Sequence, residues 1–286
     1  MVKLVQSRRF KSGMKKVLMF LLVDVIWIIG FLLVLTLSFM PIFFIGKSIY
    51  SNFSIYAFIV MVPILLFLWM NVYILCAGLL HFLFVPKLKS GVFKILSGQW
   101  IKWRLNWILY SYVFLFFNRY MLFNKFIKTP YMKLMGARVC YTTYFGETAD
   151  LQDLNSLLSF GKDTLIGSEV TLATHLIISE KHIIFKKLTI GDGVCIGARC
   201  SLAPGVTIQD NVILGYNVGV SLGSTVGEGT HVDGLTVIHS KVKIGKNCKI
   251  GFGCTIKDNS IVPDNTIIPA GTIWDQRTES KENQLC

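Results

Sequence analysis

The sequence predicts a membrane α-helical hairpin followed by an all-β parallel solenoid. Three observations predict it. Residues 17–45 and 53–85 are nearly continuous apolar stretches; every sixth residue from Phe160 to Ile268 is apolar; and the basic residues behind the net charge of +13 gather largely beside the apolar stretches. Four regions follow: 1–98, a basic flank and two transmembrane helices; 99–136, a juxtamembrane helical segment; 137–274, the solenoid; and 275–286, a polar tail.

Each apolar stretch exceeds the roughly 20 residues that cross a bilayer as a helix. Pro41 and Pro63 interrupt them, which membrane helices tolerate. The paired stretches are too long for a cleaved signal peptide. Lys3, Arg8, Arg9, Lys11, Lys15 and Lys16 precede the first span, and Lys87, Lys89, Lys94, Lys102 and Arg104 follow the second, whereas the connecting loop holds only Lys47. Basic flanks mark the cytoplasmic side, so the expectation is a multi-pass protein of the inner membrane, with both termini and the solenoid cytoplasmic. Such flanks suit anionic lipid headgroups. No nucleic acid is expected as a partner, because the basic clusters hug hydrophobic spans and no recognition motif is present. Asp24 lies inside the first span, where a carboxylate is a functional candidate by default. Its place within two turns of the cytoplasmic end favours a structural or helix-pairing role, with Asn71 as the candidate partner.

Residues 100–128 form a third apolar segment, interleaved with Lys102, Arg104, Asn106, Asn118, Arg119, Asn124 and Lys125 and rich in Trp and Tyr. That mixture predicts an interfacial or re-entrant helix along the cytoplasmic face. A third full span is the alternative, and it would place the solenoid outside.

The solenoid reads as hexads such as IGDGVC-IGARCS-LAPGVT-IQDNVI, with an aliphatic first position and a small or β-branched fifth, as at Val194, Cys200, Val206 and Val212. A six-residue period marks a β-solenoid in which each hexad is one short strand and a turn. No hexad buries its apolar edge alone, so the coils must stack. Cys200, Cys248 and Cys254 fall at inward positions, where Cys acts as a small hydrophobe. The seven cysteines show neither metal-ligand spacing nor a disulfide framework, which fits a reducing compartment.

This repeat resembles the left-handed β-helix of the hexapeptide-repeat acyltransferases, with three hexads per triangular coil. The left hand is implied by the resemblance; the general rule for parallel crossovers gives the right hand. A narrower resemblance runs from about residue 85 onward. Thr129-Pro130 with Gly136-Ala137-Arg138, Asp153-Leu154 before Phe160-Gly161-Lys162-Asp163, and Thr174-His175-Leu176 with Glu180 before Leu188-Thr189-Ile190-Gly191 are similar to motifs in the C-terminal membrane module of ε-poly-lysine-synthetase-type peptide synthetases and their stand-alone relatives. The chain departs from that pattern at Cys140, where Gly is usual, at His182, where a basic residue is commoner, and by one extra residue between His175 and Ile190. With no adenylation or carrier domain in this sequence, the acyl donor is expected from elsewhere.

The resemblance implies a membrane-anchored acyltransferase with a His general base. Imidazole titrates near neutrality and suits proton removal from an attacking hydroxyl or amine. A carboxylate would set its tautomer, and backbone N–H groups at a coil turn would hold the oxyanion. His175 matches the motif and is the expected base, with His182 second. Glu180, Asp153 and Asp163 are the candidate orienting carboxylates, Glu180 preferred. The implied co-substrate is acyl-CoA, acetyl-CoA in the simplest case, or an acyl or aminoacyl carrier-protein thioester, with no metal. The implied partners are membrane lipids, a carrier protein and two further copies in a homotrimer. An amide-bond-forming module of a peptide synthetase system, and a non-catalytic scaffold at the membrane, are the alternatives.

Overall fold

The computed structural model describes the backbone of residues 2–276 and the side chains of residues 21–276. The basic side chains of the N-terminal flank, and the polar tail beyond residue 276, lie outside the described residues.

Two helices form the hairpin, α1 (Val2–Asn52) and α2 (Ile55–Phe84). The Ser54 hydroxyl caps α2 by accepting the N–H of Ala57 at 3.3 Å. Within them, Leu21–Asn52 and Ile55–Phe84 are each long and apolar enough to cross a membrane. Their exposed faces carry large apolar side chains such as Leu22, Phe43, Val60 and Phe67. Water would not tolerate such rows, and lipid would.

The third apolar segment is a helix, α3 (Gly98–Phe123), followed after an elbow at Asn124 by α4 (Lys125–Leu134). α3 packs on both helices of the hairpin rather than standing apart. The Trp27 indole donates to the Ser111 hydroxyl at 2.8 Å, and the Tyr112 hydroxyl donates to the Trp27 carbonyl at 2.7 Å. His81 near the end of α2 ties the helices together: Nδ1 donates to the Leu134 carbonyl at 3.1 Å, and Nε2 lies 2.7 Å from the Asn106 amide. The expected pairing of Asn71 with Asp24 is not formed. Asn71 instead accepts the Tyr120 hydroxyl at 2.8 Å and donates to the Phe67 carbonyl at 2.6 Å. Asp24 lies on an exposed face, near enough to Arg104 for their charges to interact.

The solenoid is three parallel sheets of seven, seven and six strands, stacked into about seven turns. Strand partners such as Leu202 and Val220, or Leu214 and Val232, are 18 residues apart, three hexads per coil. The first hexad positions point inward: from Ile190 to Ile268 none is more than 3% exposed. Several hydroxyl and thiol groups at fifth positions are buried too and donate to a carbonyl 15 residues on, in the next coil, as Ser224 does to the His239 carbonyl at 2.6 Å and Thr230 to that of Gly245 at 2.8 Å. Satisfying the polar atom removes the penalty of burying it. Asn247, at φ 52°, shows the left-handed corner that Asn and Gly accept cheaply. α4 closes one end of the prism with Tyr131 and Met132, both fully buried, so one apolar core runs unbroken from Val34 of α1 to Ile268.

Two coils break the 18-residue rule at the same corner. Leu151 pairs with Leu172, 21 residues on, and the three additional residues fall between Leu151 and Phe160. Phe160 pairs with Ile190, 30 residues on, and the twelve additional residues are 175–186. These twelve leave the prism as an antiparallel hairpin, His175–Ser179 against His182–Phe185, with Gly91–Lys94 as a third strand. The unbroken apolar series therefore counts two members that are not in the coil. Ile178 is half exposed on the hairpin and Ile184 lies on its central strand. The phase survives because the excursion is two hexads long.

Replacing Ile208, which is fully buried, with Ala is expected to cost about 2–5 kcal/mol. Ile213→Ala, at a side chain 43% exposed, is expected to cost only about 0.5 kcal/mol. Equilibrium unfolding of the detergent-solubilised chain checks the contrast.

Candidate active site

The two corner excursions lie one above the other, and they bring Asp153 and His175 together. Asp153 sits in the three-residue expansion of its coil, while His175 opens the hairpin from the coil above. Thr174 and Lys186 form the neck of that hairpin, the Lys186 N–H donating to the Thr174 carbonyl at 2.9 Å. Asn155 braces the neck from below: its Nδ2 donates to the Thr174 hydroxyl at 2.9 Å and its Oδ1 accepts the Leu157 N–H at 2.7 Å.

His175 Nδ1 donates to Asp153 Oδ2 in a short hydrogen bond. The same oxygen accepts the backbone N–H groups of Thr174 at 3.0 Å and His175 at 3.1 Å. Asp153 Oδ1 accepts the Trp103 indole N–H at 2.9 Å. The Asp153 side chain is 1% exposed and the His175 side chain 19%. Burial alone would raise the Asp153 carboxyl above its ordinary range. The bond from His175, its charge, the Trp103 indole and the Thr174 N–H outweigh burial and hold the carboxyl below that range. A carboxylate fixed on Nδ1 leaves the His175 Nε2 lone pair free to take a proton.

Trp103 does more than donate a hydrogen bond. Its ring lies 4.6 Å from the His175 ring and 6.2 Å from that of Phe185. Trp100, Trp103, Leu157, Ile183 and Phe185 form a small separate core between α3 and the hairpin. One wall of the site thus comes from α3 and the other from the solenoid. The sequence reading assigned Trp103 only to an interface-seeking group. The spacing of Trp100, Trp103 and Trp107 along one helical face was the available signal.

The remaining expected residues lie elsewhere. Glu180, the preferred orienting carboxylate, is exposed in the hairpin turn and makes no contact with His175; Asp153 holds that position. Asp163 is in an exposed turn, its N–H donating to the Thr142 hydroxyl at 3.0 Å. His182 points to the other face of the hairpin, opposite Lys94, with Nδ1 3.3 Å from the Ser179 hydroxyl. The backbone N–H groups of Thr174 and His175 are engaged by Asp153, so oxyanion donors must come from another part of the corner.

The family model described as bacterial transferase hexapeptide (six repeats) matches residues 187–221 and 223–258. Those two segments carry the hexapeptide repeat of that family model, and they fall within the regular coils of the solenoid. No curated protein matches the chain by sequence. Among solved structures, the hexapeptide chain is similar to a perosamine N-acetyltransferase variant from Caulobacter crescentus in complex with CoA and GDP-perosamine, at 13% identity and a TM-score of 0.33, covering 51% of this chain and 60% of that one. It is also similar to UDP-N-acetylglucosamine acyltransferase from Campylobacter jejuni, at 18% identity and a TM-score of 0.29, covering 45% of this chain and 65% of that one. Serine acetyltransferase isoform 3 from Entamoeba histolytica shares 14% identity at a TM-score of 0.20, covering 85% of this chain and 74% of that one. The chain therefore spans less than two thirds of the length of the first two. The hexapeptide prism runs on past the matched segments toward the N-terminus, and the two expanded coils that build the His175 corner lie in that part.

A carboxyl whose folded pKa is depressed stabilises the fold above its ordinary titration range and loses that contribution as pH falls through the depressed value. The stability difference between the native chain and Asp153→Asn is thus expected to be full at neutral pH and to shrink below about pH 4. Thermal unfolding across a pH series measures it.

Proposed function

We propose that this protein is a membrane-anchored acyltransferase. It moves an acyl group, acetyl in the simplest case, from a CoA or carrier-protein thioester to a hydroxyl or amine acceptor near the inner leaflet. The observation that carries the reading is the Asp153–His175 pair: an imidazole fixed at Nδ1 by a buried carboxylate, with no partner for Nε2 among the described residues, at a corner of a transferase-type solenoid.

In this reading His175 Nε2 removes the proton from the acceptor O–H or N–H as that atom attacks the thioester carbonyl carbon. The C–O or C–N bond forms and the carbonyl electrons move onto oxygen. As the oxyanion collapses, the C–S bond breaks, and the imidazolium returns its proton to the thiolate. Asp153 stays ionised throughout and stabilises the imidazolium. Trp103 is a positioning residue: it holds Asp153 through the indole and His175 through the ring. The chain acts as a homotrimer, the donor lying in the groove between adjacent solenoids. The apolar hairpin of α1 and α2 keeps the site at a bilayer surface, which suits a lipid-linked or headgroup acceptor.

Thioester consumption, followed by free-thiol release with the full chain in detergent or vesicles, tests the reading. His175→Ala is expected to lower kcat by about 10²–10⁴-fold, with His182→Ala close to the native rate. Equal rates for His175→Ala and the native chain would remove His175 from the mechanism. Trp103→Phe keeps the ring and deletes the indole donor. It is expected to lower kcat by about tenfold and to move the acidic limb of the pH–rate profile, with KM little changed.

A further inference from the structure

The mechanism leaves one buried charge unused. Lys128 is the fourth residue of α4, and it is only 1% exposed. Its ammonium donates one hydrogen bond, to the Thr143 carbonyl at 2.8 Å, and lies 5.0 Å over the Phe145 ring. An ammonium has three donors. Among the described residues no carboxylate stands within ion-pairing distance of it. A buried cation without a counter-ion is costly, and burial together with the nearby charge of Lys125 pushes the Lys128 ammonium down to about 8.

Lys128 lines a cavity of about 490 Å³ where α2, the α3–α4 elbow and the first solenoid coil meet. Lys125, in the first turn of α4, and Tyr120 share that lining. The opposite character is present in the same space. Phe67 comes from α2, one of the two helices long enough to cross a membrane. Phe123 and Phe126 are 77% and 86% exposed, and they flank the cations at the elbow. Exposed phenyl rings at the α3–α4 elbow, beside two cations, match an apolar chain on one side and an anion on the other. Glu147 is the one acidic residue in the lining, so Lys125, Lys128 and Glu147 together leave a single net positive charge, suited to one phosphate monoanion.

We propose that this junction cavity binds an amphiphile with a phosphate head group, the head on Lys125 and Lys128 and the chain along Phe67, Phe123 and Phe126. The site uses none of the residues assigned to acyl transfer, so it stands or falls independently of the His175 reading.

The test is native mass spectrometry of the full chain in a neutral detergent, titrated with a short-chain phosphatidic acid, with the matching diacylglycerol, and with inorganic phosphate. One phosphatidic acid is expected to bind per chain. The diacylglycerol is expected to bind far more weakly, and inorganic phosphate at equal concentration to leave the lipid in place. Lys128→Met is expected to weaken binding by about tenfold or more, the loss of one charge-assisted hydrogen bond. Lys125→Glu and Phe126→Asp change exposed side chains, leave the core untouched, and are expected to weaken binding by a similar factor even if Lys128→Met fails to fold. Equal retention of diacylglycerol, displacement by inorganic phosphate, or native affinity in both surface variants would overturn the proposal.

Discussion

Everything in the solenoid depends on closing each coil in register over a buried aliphatic residue. A strand of two residues has almost no stability of its own, and it persists because the coils above and below supply its backbone partners and its apolar neighbours. The constraint is strict: a coil that gained one residue inside a strand would turn its aliphatic side chain away from the core. Extra chain can leave only at a corner. The chain does this twice, by three residues after Leu151 and by twelve after Leu172, and both times at the same corner. The solenoid is thereby uniform along most of its length and chemically distinct at one place, where Asp153 and His175 meet.

The N-terminal helices extend this arrangement. α4 seals the end of the prism with Tyr131 and Met132, α3 lays Trp100 and Trp103 against the hairpin, and both are tied to α1 and α2 through Trp27, Asn71, Tyr73 and His81. The apolar core passes from helix bundle to solenoid without a gap. The carboxylate that orients His175 is itself held by an indole from α3. A movement of α3 relative to the solenoid would reach the imidazole through that bond and through the tilted Trp103 ring against it.

Some parts of the site were legible before the structure and others were not. His175 was marked by the Thr174-His175-Leu176 motif and by its place at a hexad corner. Asp153 was among the candidate partners, with Glu180 preferred to it. Glu180 does not reach His175, because the intervening residues form a hairpin strand that carries it away to an exposed turn. The hairpin was hidden by its own length: twelve residues preserve the hexad phase, so Ile178 and Ile184 looked like coil positions. The Asn71–Asp24 pairing failed for a different reason. A third helix was present to supply Tyr120, and a hydroxyl on a neighbouring helix satisfies the amide without burying a carboxylate.

The sequence alone determined the repeat, the inward and outward sense of nearly every solenoid residue, and the two long apolar helices. These follow from periodicity and length, which are local properties that burial and the bilayer read directly. Only the tertiary structure decided which coils are expanded, which carboxylate faces His175, that Trp103 belongs to the site, and that Lys128 is buried with no counter-ion among the described residues. Those contacts join residues far apart along the chain, and they exist because stacking coils and packing helices bring those residues together, a placement no short window of residues encodes.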